Sequence, residues 1–369
     1  MAWPPACFRT GSAGKPAGRD PWRAGEGGIV KVVALHRESH VAQGVPSLSV
    51  AARITEVLEF MESRGQLVFT AISENDEAAR NGVNWADVLI LSKHSSQRAL
   101  DLVRHARARG VRVVYDIDDW IFSFPSYSGA QAHNSKVALI REILALCDVV
   151  TVANTVLLDK VRPYVPEPVL VPNGMWVEKY AAGVVEEAMP PRIVFTNADF
   201  LKMQSAKDML LTALQVFFLR HPDYALDFYG DPFPEMFSLP FLHFTNRMPY
   251  ADYMRALVSG RYQFAITPLG GSEDVEAAEF NACKNPFKYL NYGTARVPGI
   301  YSSAPIYQGC VVPERTGLLV GNDFQEWVDA LERLAGDRAL RHRIRDAAFD
   351  DVMRGHHVEA SAAALAAVL

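Results

Sequence analysis

The chain is poor in cysteine, in long apolar runs and in excess positive charge. Its 369 residues include only four cysteines, scattered without the spacing of a metal site, so we interpret them as reduced thiols of a cytosolic protein. No apolar run reaches the roughly 18 residues that a membrane-spanning helix requires. The net charge of −5 argues against a general nucleic-acid binder. These absences favour a cytoplasmic globular protein over a secreted, membrane-spanning or nucleic-acid-binding one.

The first 28 residues differ in composition from the rest of the chain. They are rich in Gly, Pro and Ala and lack the apolar segment of a secretion signal. We therefore expect 1–28 to be a disordered tail or the product of an over-extended start codon. Its Arg and Lys residues leave open a peripheral contact with the inner face of a membrane. The remaining length, with an apolar share of 49%, suggests two domains, each with its own core.

From Ile29 onward, short apolar runs alternate with helical patterns, and the alternation restarts at Arg192. Near-continuous apolar strands separated by helices predict a parallel sheet covered on both faces. Right-handed crossovers then make each domain doubly wound. We predict an α/β fold of two Rossmann-like domains facing a cleft: 29–171, a linker at 172–191 rich in Pro, Gly and acids, and 192–369. The last helix is free in this scheme to pack back on the first domain.

Two helices of the first domain have recognisable starts. The pattern predicts a helix over Ser95–Arg109 with Ser95 as its N-cap. A second helix is predicted over Asn134–Cys147 with Asn134 as its cap, which leaves His133 just before the helix. His133 is a candidate acid, base or hydrogen-bond donor in the cleft, and a structural histidine is the alternative.

Two lysines flank the start of a short predicted helix that ends at Gly293. Asn285 is a good N-cap, and Pro286 suits the first helical position. Lys288 then falls in the first turn, where the helix dipole disfavours a cation, and Lys284 lies four residues earlier. Two cations beside unpaired N–H groups repel each other unless an anion binds between them. A diphosphate would satisfy both, whereas the alternative is that both lysines point into water.

Ligands of doubly wound sheets bind outside the carboxyl ends of the strands. This rule selects six loops, at 36–46, 93–95, 116–133, 197–205, 230–234 and 270–284. The lysine helix directly follows the last of these loops. The agreement between motif and topology favours phosphate binding over lysines that merely point into solvent.

Asp116, Asp118 and Asp119 form the densest acidic cluster of the sequence. Alternation along a strand sends Asp116 and Asp118 to one face and Ile117 to the other. At the mouth of a cleft, Asp118 would bind hydroxyl groups of a ligand or stabilise positive charge that develops in a transition state. Two close carboxylates could also raise one pKa and supply a base. A metal site, a helix cap and a salt bridge are the remaining alternatives.

The order of several motifs resembles one family of enzymes. The run from Asn281 to Pro298, followed by TGLLVGND and a helix, resembles the nucleotide-sugar half of group 1 glycosyltransferases. VVYDIDDWIF and CDVVTVANTVLLDKV resemble the first domain of bacterial members that act in envelope polysaccharide synthesis. VLVPNGM resembles the stretch that leads into the second domain, and LDFYGD the strand that precedes the donor pocket. The resemblance extends from Ile29 to the C-terminus and implies the two-domain GT-B architecture.

The resemblance also implies an activity. The protein would transfer a sugar from a nucleoside diphosphate sugar to a glycan or lipid-linked acceptor, with retention of configuration and with no required metal or other cofactor. No nucleic-acid partner is expected. The resemblance, together with the lysine motif and the selected loops, implies these donor- and phosphate-binding residues: Lys202, Lys284, Lys288, Asn197, Gly270, Gly271, Asn281 and Asn291. The candidate catalytic residues are Asp118, Asp116 and His133.

The chain departs from the family at a pair of glutamates. Many members carry two glutamates with seven residues between them, and the second usually binds the donor ribose. Here Asn291 occupies the second place and Cys283 lies eight residues earlier. Asn291 can still form hydrogen bonds, but without charge assistance. Asn197 and Lys202 also stand where Arg and Lys are usual. Two alternative hypotheses therefore stay open: a catalytically silent nucleotide-sugar binder or partner subunit, and a sugar-nucleotide epimerase.

Overall fold

A computed structural model describes residues 28–37, 45–123, 130–181, 183, 186–197, 206–270 and 275–369, with the backbone alone for 130–135. Two candidate site residues, Lys202 and Gly271, lie outside the described residues, as does the side chain of His133.

The first sheet has six parallel strands in the order β2-β1-β3-β4-β5-β6. Its strands are β1 Val30–His36, β2 Leu67–Ser73, β3 Val88–Ser92, β4 Arg112–Ile117, β5 Val149–Val152 and β6 Val169–Leu170. The helices between them are α1 Leu48–Val50, a π-helical turn Ala51–Thr55, α2 Glu56–Ser63, α3 Ala79–Trp85, α4 Gln97–Ala108, α5 Ala130–Leu146 and α6 Thr155–Val161. Because β2 and β3 lie on opposite sides of β1, the strand order reverses between β1 and β3.

The second sheet is also parallel and six-stranded, in the order β12-β11-β10-β7-β8-β9. Its strands are β7 Arg192–Asn197, β8 Ala225–Gly230, β9 Leu242–Thr245, β10 Phe264–Thr267, β11 Gly299–Ser302 and β12 Leu318–Val320. The remaining helices are α7 Val177–Tyr180, α8 Lys207–Arg220, α9 Tyr250–Ser259, α10 Val275–Ala282, α11 Phe287–Thr294, α12 Pro305–Gln308, α13 Phe324–Gly336, α14 Arg338–Gly355 and α15 Val358–Ala366. The order reverses between β7 and β10.

The predicted fold class is confirmed, because both sheets are fully parallel and covered by helices on both faces. Strand β4 shows how the apolar pattern achieves this. Tyr115 and Ile117 are buried against α4 and α5, while Val114 packs on the opposite layer with α2. Each fully buried side chain of this size contributes roughly 1.5–3 kcal/mol. Asp116 shares the face of Val114, as strand alternation predicts.

The last helix of the chain returns to the first domain. Val358, Ala362 and Leu365 of α15 join the apolar layer formed with α2 and the first sheet. Arg112 Nε donates a hydrogen bond to the carbonyl oxygen of Val368 at 2.8 Å. The C-terminal segment therefore completes the core of the first domain, although its preceding helices pack on the second.

Four local predictions are wrong. Helix α4 is capped by Ser96, whose Oγ accepts from Ala99 N at 3.0 Å, because Ser96 rather than Ser95 precedes the first helical residue. Helix α5 begins at Ala130, since residues 130–132 are good helix formers, so His133 lies inside the helix. The loop predicted at 270–284 contains α10. Asn285 does not cap α11, whose first helical residue is Phe287.

Candidate functional site

A cleft of about 500 Å³ lies between the carboxyl ends of the two sheets. This size suits a nucleotide or sugar ligand. The first domain lines the cleft with Arg37 and Lys93, which follow β1 and β3, and with Asp118 after β4. The second domain contributes the end of β7, α9 and the first turns of α11, with Lys284 just before that helix. The structure thus brings the acidic strand end and the lysine motif to one cavity.

Asp116 lies beneath the cleft floor rather than in it. Its side chain is 1% exposed and accepts two 2.8 Å bonds from the guanidinium of Arg53. Thr151 Oγ1 donates a third bond at 2.7 Å. Arg53 extends the network to Asn173 Oδ1 at 3.0 Å. Because its oxygens are occupied by these donors, Asp116 fixes the wall instead of facing a ligand.

Asp118 forms an ion pair with Lys93. The Asp118 Oδ1 to Lys93 Nζ distance is 2.6 Å, and the carboxylate is 2% exposed. Burial alone would raise the pKa of Asp118, but the Lys93 ammonium outweighs burial and holds the pKa below its ordinary value. Burial likewise opposes the charge of Lys93, yet Asp118 and Asp119 raise its pKa. Both groups are therefore charged at neutral pH, which disfavours Asp118 as a base.

The lysine motif reaches across to the first domain. Lys284 Nζ lies 3.4 Å from Asp119 Oδ2, and both side chains are partly exposed in the cleft. Asn285 turns away from the helix start that was predicted to hold it. Its amide nitrogen donates to the carbonyl oxygen of Asp118 at 2.6 Å, and its Oδ1 accepts from Asn173 at 2.7 Å. Buried polar groups at the contact between the two domains need hydrogen-bond partners, and this requirement outweighs the preference of Asn285 for capping a helix.

Lys288 lies in the first turn of α11 and lines the cleft, as predicted. Its ammonium is 5.9 Å from the centre of the Phe195 ring. Arg247 lines the same wall, and its Nε donates to Asp231 at 3.1 Å. The second-domain wall therefore presents several cations near the start of a helix, an arrangement that suits a phosphate group.

Neutral hydroxyl and amide groups form another part of the second-domain wall. Tyr250 donates to Asn291 Oδ1 at 2.8 Å, and Tyr253 lies within 3.3 Å of Thr196 Oγ1. All four residues line the cleft. Burial raises the pKa of both tyrosines, so they remain neutral hydrogen-bonding groups. This part of the cleft can bind sugar hydroxyls without an ionic partner.

Three further residues that the sequence predicts to bind the donor, Asn197, Asn281 and Gly270, do not line the cleft. Asn197 ends β7 and is buried, and its amide nitrogen has no hydrogen-bond partner within the described part of the chain. Asn281 is also buried, and it donates to the carbonyl oxygen of Gly270 at 2.8 Å. Asn281 thus holds the loop after β10 against α10. A direct contact of any of the three with a ligand stays a prediction.

A core residue occupies the position where the family that the sequence resembles has its first glutamate. Cys283 is fully buried and packs with Phe280 into the apolar core of the first domain. Burial raises the pKa of its thiol to about 11, so it is inert as a nucleophile at neutral pH. Its carbonyl oxygen accepts from Asn154 at 3.1 Å. Where the family places a carboxylate, this chain has a contact between the domains.

Sequence reasoning missed Arg37, Lys93, Arg247 and Tyr250. The loop rule had selected the positions of Arg37 and Lys93, whereas Arg247 follows β9, whose end is not among the six selected loops. A search of the selected loops for cations would therefore have found Arg37 and Lys93 but not Arg247. Tyr250 gives no such signal, because its partner Asn291 is distant in sequence.

The metal alternative for the acidic cluster needs free carboxylate oxygens. Asp116 is bound by Arg53, and Asp118 by Lys93. Within the residues that the structure describes, no group of three or more His, Cys, Asp or Glu side chains is placed to hold a metal ion.

In the same ranges, no helix is long and apolar enough to span a membrane.

No protein-family model and no curated protein sequence matches the chain, but solved structures do. Sucrose-phosphate synthase from Thermosynechococcus elongatus superposes with a TM-score of 0.59 at 13% identity, over 91% of this chain and 97% of that one. Anabaena HepE, solved with UDP and glucose, gives 0.59 at 12%, over 92% and 98%. The chain has the GT-B fold.

A third solved structure shows that this fold serves more than one chemistry. A protein from Listeria monocytogenes described as a UDP-N-acetylglucosamine 2-epimerase superposes with a TM-score of 0.55 at 10% identity, over 91% of this chain and 94% of that one. At such identities the likeness establishes architecture alone. The choice between activities depends on the residues of the cleft.

Proposed function

We propose that the protein is a glycosyltransferase that moves a sugar from a nucleoside diphosphate sugar to a glycan or lipid-linked acceptor. The observation that carries this proposal is the convergence of Lys284 and Lys288 with Asp118 and Asp119 on one cleft at the carboxyl ends of both sheets. The proposal includes retention of configuration and a role in envelope polysaccharide synthesis, as the sequence resemblance implies. Its expected setting is cytoplasmic.

In this proposal the second domain stabilises the departing diphosphate. Negative charge grows on the leaving phosphate as the glycosidic bond breaks, so fixed cations favour the transition state over the ground state. Lys288 lies in the first turn of α11, and Lys284 needs only to exchange Asp119 for a phosphate oxygen. The proposal requires no metal, because lysines meet the phosphate charge. Donor binding between the walls would also exclude water.

The first domain supplies the carboxylates. Asp118 stays ionised through Lys93, and Asp119 is 22% exposed beside it. An ionised carboxylate near the anomeric carbon stabilises developing positive charge or orients an acceptor hydroxyl. Asp116 acts in this scheme only through Arg53, by fixing the strand end that positions Asp118. His133 keeps its proposed role as an acid, base or donor.

The test begins with a thermal-shift screen of nucleoside diphosphate sugars, since a ligand that binds the folded state raises apparent stability. The sugar that binds is then used to measure nucleoside diphosphate release. We expect Asp118→Asn to lower turnover by at least about a hundredfold, because a fixed charge is lost, while donor affinity stays nearly constant. Asp101→Asn, on the exposed face of α4, is the matched control.

Wild-type turnover in folded Asp118→Asn would remove the catalytic role of Asp118. If a chelator abolishes the activity and added magnesium restores it, the metal-free part of the proposal is contradicted. Conversion of the free donor to its epimer without an acceptor would replace transfer by epimerisation.

A binding subunit without turnover is the second candidate. The observation that favours it is that both cleft carboxylates are already paired with lysines, Asp118 with Lys93 and Asp119 with Lys284. Tight binding of a nucleotide sugar with no product under any acceptor condition would establish this candidate instead.

A further inference from the structure

Arg37 and Lys93 mark the ligand-binding crevice of the first sheet. Arg37 directly follows β1 and Lys93 directly follows β3, and the strand order reverses between these two strands. Doubly wound sheets bind ligands at such a reversal. Both side chains line the cleft on the wall of the first domain. They therefore form a basic site on a different sheet from Lys284 and Lys288.

Arg37 differs from three other cations of the cleft in the group with which it is paired. Three cleft cations are matched by carboxylates: Lys93 by Asp118, Lys284 by Asp119 and Arg247 by Asp231. The Arg37 guanidinium instead donates to the carbonyl oxygen of Lys93 at 3.4 Å, and no carboxylate pairs with it among the residues described. An anion at this place would remove the excess positive charge.

Hydroxyl groups adjoin the two cations. Ser47 and Ser49 line the same wall, and Ser49 Oγ is 3.4 Å from Lys93 Nζ. The Lys93 backbone has a φ of +53°, a left-handed conformation that long side chains rarely adopt. Such backbone strain is concentrated at functional sites. A guanidinium, an ammonium and hydroxyls are together the donors that match the several oxygens of a phosphate group.

We propose that the acceptor carries a phosphate group, which binds at Arg37 and Lys93. This inference rests on the proposed function, because it names the class of acceptor that the same cleft takes. Lysines on the second-domain wall bind the donor diphosphate, and the first-domain wall binds the second anion. The phosphate belongs either to a soluble phosphorylated sugar or to a lipid headgroup.

The experiment compares Arg37→Ala, Arg37→Lys and the control Arg109→Ala in the full chain. Arg109 is exposed and comes just before β4, so it lies near the amino end of the sheet, away from the cleft. Calorimetry first gives the affinity of each protein for UDP, GDP and ADP, with Lys288→Ala as a comparator. Glucose 6-phosphate or glucose is then titrated into nucleotide-saturated protein. A parallel arm measures sedimentation with phosphatidylcholine vesicles that contain or lack phosphatidic acid.

We expect Arg37→Ala to leave nucleotide affinity within about twofold and to weaken phosphate binding by roughly tenfold or more, because a charge-assisted bond is lost. Arg37→Lys should recover part of this loss, and Arg109→Ala should show none. Binding of glucose 6-phosphate identifies a soluble source, and binding of phosphatidic acid vesicles a lipid source.

Two outcomes overturn the inference. One is that neither phosphate probe binds in a manner that depends on Arg37. The other is that Arg37→Ala weakens nucleotide binding as much as Lys288→Ala does, which would place Arg37 in the donor site. Failure of every nucleotide and nucleotide sugar to bind would instead count against the proposed function, and the phosphate arm can still be measured without nucleotide.

Discussion

The two walls of the cleft share one topology but hold their charges differently. On the first wall, Asp116 and Asp118 are buried and each is bound to a cation of its own domain. On the second wall, Lys284 reaches the opposite domain for its carboxylate, and Tyr250 and Asn291 present neutral groups. The first wall is therefore fixed by its own ion pairs, whereas the second is suited to exchange a partner for a ligand.

The largest expected effect comes from removing the buried ion pair of Arg53 and Asp116 that lies beneath the first wall. Asp116→Ala leaves the buried guanidinium of Arg53 without its bidentate partner, so we expect the free energy of unfolding in urea to fall by about 3–5 kcal/mol. Replacing both partners, with Arg53→Met and Asp116→Leu, should recover most of this loss, because no buried charge then remains. Asp101→Ala on exposed α4 should stay within about 0.5 kcal/mol of wild type. A loss below about 1 kcal/mol in Asp116→Ala would show that the wall is not fixed by this pair.

The second wall should respond in binding rather than in stability. Lys288→Ala removes a charge-assisted contact to phosphate, so affinity for a nucleoside diphosphate should fall by roughly 1.5–3 kcal/mol. Unfolding in urea should change little, since the side chain lines an open cleft. Lys31→Ala, near the amino end of β1, is the matched control and should bind as wild type. Equal affinities of Lys288→Ala and wild type in calorimetry would remove Lys288 from the site.

The ion pair of Asp118 and Lys93 should give the first wall a defined pH dependence. The lowered pKa of Asp118 means that its contribution is complete above the ordinary carboxyl pKa of 3.8 and is lost as the pH falls through the folded-state value. The raised pKa of Lys93 means that its contribution is complete below 10.5 and is lost as the pH rises through the folded-state value.

A double-mutant cycle of Asp118→Asn and Lys93→Met, followed by urea unfolding, measures this coupling. We expect about 1–2 kcal/mol at neutral pH, constant between the two ordinary pKa values and decreasing on either side. A coupling that is largest at acidic pH would contradict the assigned charges.

The smallest expected effect on stability comes from an exposed ion pair at the edge of the contact between the two domains. Lys160 Nζ lies 3.2 Å from Glu279, whose side chain is 65% exposed. Glu279→Gln should lower the free energy of unfolding by no more than about 1 kcal/mol, because exposed ion pairs are screened by water and salt. Comparison of low and high salt in urea unfolding checks this cause. An effect as large as that of Asp116→Ala would show that this exposed ion pair stabilises the protein as much as the buried pair of Arg53 and Asp116.

Much of this architecture follows from the sequence pattern. Strands such as β1 and β3 are continuous apolar runs, because both faces of a parallel sheet are buried, and such runs are visible without a structure. The loop rule predicts that Lys284 and Lys288 lie at the cleft, since strand ends fix where loops emerge. The boundaries of α4 and α5 were less accurate, because adjacent serines and alanines satisfy similar local preferences.

The sequence by itself determined the two parallel sheets, their carboxyl ends and the lysines beside them, because apolar periodicity and the succession of strands and helices along the chain are local properties. Only the tertiary structure decided which polar groups face the cleft. Strand alternation predicts one face for Asp116 and Asp118. In the structure Asp116 is buried and bound to Arg53, which precedes it by 63 residues, whereas Asp118 lines the cleft in an ion pair with Lys93. The sequence predicts that Asn285 caps α11, but its amide nitrogen instead donates to the carbonyl oxygen of Asp118 in the other domain. Partners distant in sequence made these choices, since buried charges and hydrogen-bonding groups must be satisfied wherever the fold brings a donor.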